Sequence, residues 1–277
     1  PLHQREIHNL LSRFFEQYSR LESLPKMSLI TVYSFSFYFY KFKRNYPNMC
    51  FHISTKASTQ SRNNNTTNKF VDYYHVSGFD HPKIGLLYNG NIISSHWGLI
   101  PYWVRNEQQA LLIRDKTLNA RIETLESKPS FKDVSFKRGI LFVDGFFEFK
   151  HQKNKKIPHY IFNDNPIGIG TILSEWINPS TGEIISTFSI VTHKASNVLK
   201  SIHNNPKLKE PRSPLFIDIN NKSSWINDND LNYLHNISGE IEQNLKFHEV
   251  NKLSGRFYPG NNPSVLKAVT SQASLFN

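Results

Sequence analysis

The chain has 277 residues, of which 38% are hydrophobic and 13% aromatic, and it carries a formal net charge of +11 at pH 7. This length is enough to bury the core of one large domain or two small ones. The excess of Lys and Arg favours a polyanionic partner, such as nucleic acid or an acidic membrane surface, although a solvated basic surface gives the same balance. The single cysteine, Cys50, excludes an intramolecular disulfide and any CxxC metal or redox site, and it fits a reducing compartment. None of the 12 histidines stands in a metal-ligand spacing, so we expect no metal.

The first 48 residues differ in composition from the rest of the chain. They begin with Pro1, and their longest apolar run, residues 28–40, is too short and too interrupted by Ser and Thr for a membrane span. No small-residue cleavage site follows this run. We interpret residues 1–48 as a non-native extension, or a leader that is removed, ahead of a true start at Met49. Residues 49–270 are then a single folded domain and residues 271–277 a tail.

Strand signals dominate the body of the chain. Residues 54–69 are polar and of low complexity, which predicts a flexible surface loop. The turn sequence Asn89-Gly90-Asn91 joins two apolar runs and predicts a hairpin. Further strands are predicted at 139–143, at 146–150 after a turn at Asp144-Gly145, and at 159–162, 167–173 and 186–191. Helices are predicted from 192 or 194 to about 203, at 228–235 and, as a short piece, at 121–126.

These elements do not alternate regularly between strand and helix. They predict an α+β fold, with a mostly antiparallel, curled sheet and a few flanking helices, rather than a doubly wound fold.

Cys50 directly follows Met49, so removal of the methionine makes it the N-terminal residue. A free N-terminal cysteine is a 1,2-aminothiol, and its amine has an ordinary pKa of about 8. The neutral amine can attack an aldehyde, such as the one that a ring-opened abasic deoxyribose presents, and the thiol can then close a thiazolidine ring. The alternative is an inert cysteine buried in the core.

Four segments in order resemble the SRAP (SOS response-associated peptidase, abasic-site-processing) family. They are WGLIPYW at 97–103, NARIET at 119–124, RGILFVDGFFEFK at 138–150 and FSIVTHKASNVLKSIH at 188–203. Arg212-Ser213-Pro214 resembles the family's Arg-Met-Pro, and the resemblance extends from Met49 to about Val269. It implies a curled sheet or open barrel core.

The resemblance also implies a catalytic set. Cys50 matches the nucleophile that forms the thiazolidine, and Asn119 matches a residue that hydrogen-bonds the sugar or the linkage. Glu148 matches the glutamate that helps to open the sugar ring and shuttles protons. His203 matches a histidine that assists ring-opening and reversal of the cross-link, although a histidine that only stabilises a helix C-terminus is an alternative. Burial between two phenylalanines should raise the pKa of Glu148 toward the acid/base range, unless it is an ordinary surface carboxylate.

A DNA-binding set follows from the same resemblance. Arg121 matches a phosphate ligand, with a surface salt bridge to Glu123 or Glu126 as the alternative. Trp97 and Leu99 are expected near the DNA path, where Trp97 could stack on a base, whereas Trp103 is expected in the core. The predicted DNA-binding residues are Arg121, Trp97, Leu99, Phe149, His52 and Arg212.

Three departures from the family pattern affect these residues. The family opens Met-Cys-Gly-Arg, whereas this chain has Met49-Cys50-Phe51-His52. Phe149 replaces a tryptophan that could also donate a hydrogen bond, and Ser213 replaces a methionine. We expect the changes beside Cys50 to weaken DNA affinity more than the chemistry.

The leading hypothesis is a cytoplasmic, monomeric abasic-site sensor. It is an enzyme, lyase-like in its chemistry, that cross-links to abasic sites in single-stranded DNA and shields the lesion, with no cofactor, metal or membrane. One alternative is a cysteine peptidase that cleaves itself before Cys50, with His203 as the base. Another is a non-catalytic binder of single-stranded nucleic acid, which the departures beside Cys50 would favour.

Overall fold

A computed structural model of the protein describes residues 52–61, 70–153, 155–207, 209–227 and 230–269. The predictions for residues 1–51, including Cys50, and for the tail lie outside the described residues. Within them the strands are β1 His52–Thr55, β2 Tyr73–Ser77, β3 Lys83–Tyr88, β4 Asn91–Trp97, β5 Asn119–Arg121, β6 Arg138–Gln152, β7 Lys155–Ile177, β8 Ile184–Lys194, β9 Arg212–Pro214, β10 Phe216–Ile217 and β11 Lys246–Glu249. The helices are α1 Ala57–Gln60, α2 Glu107–Arg114, α3 Asn197–Ile202, α4 Ser223–Ile226 and α5 Leu231–Gln243, with 3-10 turns at Gly78–Asp80, Ile122–Thr124, Lys132–Val134 and Pro263–Leu266.

Five strands close into a barrel. β3 pairs with β4 and β6, β6 pairs with β7, and β8 pairs with both β7 and β4. The β4–β8 and β5–β8 pairs are parallel, and the other pairs are antiparallel. Closure pairs both edges of each barrel strand, which is how a curled sheet avoids an open edge. The predicted α+β fold with a mostly antiparallel, curled sheet is confirmed, and the curl is complete.

Apolar side chains cover both faces of the barrel wall. Neighbouring residues of a strand point to opposite faces, and Leu86 and Leu141 pack in one core cluster while Leu87 and Ile140 pack in a second. The continuous apolar runs in the sequence are explained by this burial on both faces. No helix in the described part of the chain is long and apolar enough to cross a membrane.

The β3–β4 hairpin is confirmed. Tyr88 pairs with Asn91, and the two residues between them, Asn89 and Gly90, have φ angles of 48° and 78°. A two-residue turn with positive φ at both positions matches the right-handed twist of the flanking strands, and Asn-Gly is the sequence that tolerates it best.

The predicted turn at Asp144-Gly145 is wrong. β6 continues through it with a bulge between Val143 and Gly145. The Asp144 carboxylate accepts hydrogen bonds from the Lys56 backbone N–H (2.7 Å) and from the Thr59 hydroxyl (2.8 Å), so it anchors the start of α1. β1 pairs with β6 just beyond the bulge, with Ser54 opposite Gly145.

Gly145 lies where two strands approach closely. A Cβ there would come within 2.5 Å of the Ile161 carbonyl oxygen and 2.6 Å of Tyr160 Cε2. Since overpacking costs about 1–3 kcal/mol, we expect Gly145→Ala to lower the free energy of unfolding in urea by at least this amount. Gly239→Ala is the control, because nothing lies within 4 Å of its Cβ and alanine favours helix α5. Equal stability of Gly145→Ala and the unmodified protein would contradict the close approach.

The other boundary predictions are partly wrong. β8 continues to Lys194, so α3 begins only at Asn197, where the Ser196 hydroxyl accepts a hydrogen bond from the Val198 N–H. α5 extends to Gln243, far beyond residue 235, and residues 122–124 form only a 3-10 turn. α2 was not predicted.

The predicted flexible loop at 54–69 begins as ordered, buried structure. Residues 54 and 55 belong to β1, and residues 57–60 form α1. Gln60 is fully buried, and its amide donates to the carbonyls of Thr55 and Val71 and accepts from the Gly85 N–H. A polar segment can be buried when each polar group finds a partner, which composition cannot reveal. Residues 62–69 lie outside the described residues.

Candidate active site

Glu148 and His203 are buried side by side. Glu148 lies on β6, and His203 follows the last residue of α3; their exposed fractions are 6% and 2%. The Nδ1 atom of His203 is 3.7 Å from Oε1 of Glu148. Burial raises the pKa of Glu148, against smaller lowering effects from His203 and from the Phe149 backbone N–H. Glu148 is therefore not a surface strand carboxylate.

The hydrogen bonds of His203 define its proton positions. Nδ1 is 3.0 Å from the Arg212 carbonyl oxygen. A carbonyl can only accept, so Nδ1 carries the proton of the neutral ring and Nε2 is left as an acceptor. Both His203 Nε2 and Glu148 Oε1 are buried without a hydrogen-bond partner among the described residues. Buried polar atoms of this kind are costly, and here two of them belong to an acid and a base that are close together. The pair is suited to proton transfer to and from a bound group.

Asn119 and Arg121 lie together on β5 and line a cavity of about 600 Å³. Lys116 and Lys128 also line it, and none of the described residues around it is acidic. Arg121 is exposed and forms no ion pair in the described part of the chain, so the salt bridge to Glu123 or Glu126 is absent there. The cavity combines positive charge with the exposed ring of Trp103, a composition that suits a strand of phosphates and bases.

β8 connects this cavity to the buried pair. β5 pairs with β8 at Ile190–Thr192, and β9 pairs with β8 at Thr192–Lys194. β9 begins with Arg212, whose carbonyl holds His203. β5, which carries Asn119, and β9, which orients His203, are thus both paired with the C-terminal end of β8.

Arg212 is not available to DNA. It is 3% exposed, and its guanidinium donates to both carboxylate oxygens of Glu123 (2.9 and 2.6 Å), to Glu210 (3.1 Å) and to the Thr192 carbonyl. The prediction that Arg212 binds DNA is wrong, because two carboxylates already compensate its charge. No local sequence signal predicts the bridge to Glu123, which is 89 residues away.

The burial of the two tryptophans is the reverse of the prediction. Trp97 is fully buried in the barrel core, and its indole N–H donates to the Leu118 carbonyl (2.8 Å). Leu99 is also fully buried. The predictions that Trp97 stacks on a base and that Leu99 meets DNA are therefore wrong. Trp103, expected in the core, is 43% exposed and lines the cationic cavity.

His52 lies in a row of hydrogen-bonded rings. Its Nδ1 atom is 3.0 Å from Nε2 of His75, and the Nδ1 atom of His75 is hydrogen-bonded to the Tyr258 hydroxyl. Burial, followed by the nearby His75, lowers the pKa of His52 to about 3. A neutral imidazole does not replace an arginine as a cation, so the predicted phosphate contact of His52 cannot be an ionic one. The ring of Phe149 is partly buried, edge-on to His52 at 5.7 Å. His75 and Tyr258 were missed because nothing in the sequence around them marks a site.

Two buried histidines predict sensitivity to acid. Burial is the main cause that lowers the pKa of His75 and of His193, each to about 4 from 6.5. The unfolded chain binds protons at these positions below about pH 6.5 and the native state does not, so stability is lost as the pH falls from 6.5 toward 4. We expect these two rings together to lower the free energy of unfolding there by up to about 2–3 kcal/mol per pH unit. His75→Gln combined with His193→Gln should flatten this slope in urea denaturation, and an unchanged slope would contradict burial of neutral rings.

Among the described residues, no three His, Cys, Asp or Glu side chains are grouped so as to hold a metal ion.

Comparisons with known proteins identify relatives of this chain by sequence and by structure. The Abasic site processing protein YoqW of Bacillus subtilis is 30% identical over 185 residues, which cover 60% of this chain and 77% of that protein. The Abasic site processing protein HMCES of Xenopus tropicalis is 26% identical over 133 residues, covering 40% of this chain and 39% of that protein. A crystal structure of a protein from Bacteroides thetaiotaomicron has a TM-score of 0.67 at 26% identity, covering 80% of this chain and all of that one.

The family comparison covers most of the chain. Residues 49–256 match the family described as SOS response associated peptidase (SRAP). The match includes the buried Glu148–His203 pair and the cationic cavity with Asn119. The chain therefore belongs to the SRAP family.

Proposed function

We propose that this protein processes abasic sites in DNA, and that it does so by forming a thiazolidine between Cys50, as the N-terminal residue, and the abasic sugar in a single strand. The observation that carries the proposal is the buried Glu148–His203 pair. An acid with a raised pKa lies 3.7 Å from a histidine whose Nε2 atom has no partner among the described residues. A buried carboxylic acid with a raised pKa beside an imidazole is an arrangement that suits general acid–base chemistry.

The start of β1 supports a role for Cys50 at this pair. His52 is separated from Cys50 by one residue, so the two Cα atoms are at most about 7 Å apart. β1 is antiparallel to β6, with Ile53 opposite Phe146, so the chain before Ile53 leads toward the residues that follow Phe146. His52 already contacts Phe149, the neighbour of Glu148. Chain length from His52 therefore allows the thiol and amine of Cys50 to reach the acid.

The proposed reaction has three steps. Protonated Glu148 donates to the ring oxygen of the abasic sugar as the hemiacetal hydroxyl loses its proton to His203, which opens the ring to the aldehyde. The amine of Cys50 adds to the aldehyde carbon, and loss of one water molecule gives an imine. The thiol adds to the imine carbon, its proton passes to the nitrogen, and a thiazolidine closes. The net change is one aldehyde and one aminothiol converted to one thiazolidine and one water, with no cofactor or metal.

The cationic cavity supports the choice of DNA as substrate. Lys116, Arg121 and Lys128 would bind phosphates, and Trp103 offers a face for a base. Binding there should weaken as salt rises. An intact nucleotide has no free aldehyde, so only the abasic sugar can react. The relatives named as abasic site processing proteins support the same substrate for this chain.

The experiment uses protein that begins at Cys50, incubated with single-stranded DNA that contains one abasic site and then denatured. We expect a shifted band with the free Cys50 terminus, and none with Cys50→Ala or with a residue added before Cys50. Cys50→Ser, which keeps the amine but loses the thiol, should give only a reversible imine.

Two other outcomes would identify different activities. Cleavage of an added N-terminal peptide that requires Cys50, without any cross-link, would support a self-processing peptidase. Salt-sensitive DNA binding without any covalent product would contradict the thiazolidine and support a passive binder.

A further inference from the structure

The β6–β7 hairpin next to the candidate active site carries an unusual density of lysines. Between Glu148 and Asp164 the chain has no acidic residue, but it has Lys150, Lys153, Lys155 and Lys156. All are exposed except Lys150, which is partly buried. The tip of the hairpin is therefore strongly positive. The first of these lysines, Lys150, is two residues after the catalytic candidate Glu148.

The loop after α3 adds two more lysines to this surface. The backbone N–H of His151 donates to the Asn204 side-chain oxygen (2.6 Å), and the Asn204 amide donates back to the His151 carbonyl (3.0 Å). This pair of hydrogen bonds holds the hairpin against the loop that carries Lys207 and Lys209, both exposed. The pKa of His151 is lowered by burial and then by the nearby Lys156, His203 and Lys207.

None of these lysines is neutralised within the described structure. The ion pairs of the described residues include none of Lys150, Lys153, Lys155, Lys156, Lys207 and Lys209, which together form the lysine platform. The nearest acid along the loop, Glu210, is engaged by Arg212 and Lys194. Six like charges held together without counter-charges repel one another, and a bound polyanion would relieve that repulsion.

The strand register directs part of the platform toward the active site. Residues two apart on a strand share a face, and so do residues directly opposite in an antiparallel pair. Glu148 and Lys150 therefore share a face of β6, with Gln152 as the next member, and Gln152 is opposite Lys155 on β7. Lys150 is about 7 Å along the strand from Glu148. The same face thus leads from the buried acid past the partly buried Lys150 to the exposed Lys155.

We propose that the lysine platform is a second phosphate-binding surface, which holds the DNA strand on one side of the abasic nucleotide, while the cavity of Arg121 and Trp103 holds the other side. This inference rests on the proposed function, because it takes the abasic sugar to be at Glu148. The platform shares no residue with the cavity. A DNA strand that crosses the site would then be bound on both sides of the abasic nucleotide. Its affinity would therefore depend on the length of DNA on each side.

The test measures equilibrium binding of the full chain carrying Cys50→Ala, which removes covalent trapping. Two single-stranded DNAs are compared, one with the abasic site at the 5′ end and one with it at the 3′ end, so that each has only one arm. Lys153→Gln/Lys155→Gln is compared with Lys83→Gln/Lys222→Gln, an exposed pair away from the hairpin with the same change in net charge. Lys207→Gln/Lys209→Gln provides a second, independent change to the platform, and thermal unfolding checks that all variants fold.

We expect both platform variants to weaken binding to one of the two DNAs by on the order of tenfold at about 0.15 M salt, with little effect on the other DNA. The slope of log K against log salt should become shallower by about 1.4 for that DNA only, which corresponds to two lost phosphate contacts. The control pair should change neither slope by a comparable amount. Equal effects of platform and control variants, or equal losses on both DNAs, would overturn the proposal.

Failure of the proposed function gives a different result. If abasic sites are not recognised, the Cys50→Ala protein with all its lysines intact binds both DNAs no better than intact DNA of equal length. If only the thiazolidine chemistry is wrong, this binding pattern persists while the denatured cross-link is missing with Cys50 intact.

Discussion

Replacement of Glu148 by glutamine is expected to slow cross-link formation by about 10²- to 10⁴-fold, the usual contribution of a positioned general acid or base. Glutamine preserves the shape of the side chain but cannot donate or accept the transferred proton. The rate is measured under single-turnover conditions with saturating abasic DNA, so that a change in affinity does not contribute. DNA affinity itself should change little, because Glu148 is buried.

The same substitution should stabilise the protein at neutral pH. Burial raises the folded-state pKa of Glu148 above its ordinary value of 4.5, so the native state holds this proton more tightly than the unfolded chain does. Stability is then lost as the pH rises from about 4.5 through the raised pKa, and glutamine removes that loss. Glu175→Gln, at an exposed position on β7, should change neither rate nor stability. A Glu148→Gln protein that cross-links at the normal rate would exclude Glu148 as the acid.

Truncation of the two tryptophans is expected to give opposite results. Trp97→Ala removes a fully buried ring and an indole hydrogen bond, so we expect a loss of about 3–5 kcal/mol in the free energy of unfolding. Trp103→Ala changes an exposed ring, so its stability should stay within about 0.5 kcal/mol. Its affinity for single-stranded DNA should instead fall by about 1–3 kcal/mol, the usual value of one base stacked on an aromatic ring.

Urea denaturation and DNA titration of the same two variants test this contrast. Because Trp97→Ala could unfold the protein, Trp97→Phe serves as the milder variant, which should lose stability and keep the DNA affinity of its folded fraction. If Trp103→Ala leaves DNA affinity unchanged, the cavity that Trp103 lines is not a base-binding surface.

Trp97 is buried and Trp103 exposed, although their shared motif predicted the opposite. The segment WGLIPYW identified a region near the site, but a motif does not say which of its residues point inward. Trp97 is the last residue of β4, a strand whose side chains alternate between its two faces. Trp103 instead follows Pro101 in a loop. Reading the strand alternation through residue 97 would have placed Trp97 in the core.

Local structure is predicted well where a short sequence can adopt only one conformation. The Asn89-Gly90 turn is an example, because few sequences tolerate two successive residues with positive φ. The prediction fails at Asp144-Gly145, because the same two residues are also suited to a β-bulge and to holding the start of a helix. The choice depended on Lys56 and Thr59, more than 80 residues away, and such long-range partners are invisible to a local pattern.

The charged residues were the least predictable. Arg212 was expected on phosphate, but Glu123 and Glu210 neutralise it in the interior. His52 was expected to act as a weak substitute for arginine, but His75 and burial keep it neutral. In both cases the charge available to DNA depends on neighbours that only the fold brings together, which also explains why the lysine platform did not emerge from composition.

Thiazolidine formation at Cys50 is tested by the intact mass of the denatured protein–DNA conjugate, followed by mapping of the attached residue. Protein beginning at Cys50 is incubated with abasic single-stranded DNA, without a reducing agent that could trap an imine elsewhere. We expect a conjugate whose mass is the sum of protein and DNA less one water, with the adduct on Cys50. A stable adduct on a lysine, or free protein and DNA as the only species, would contradict it.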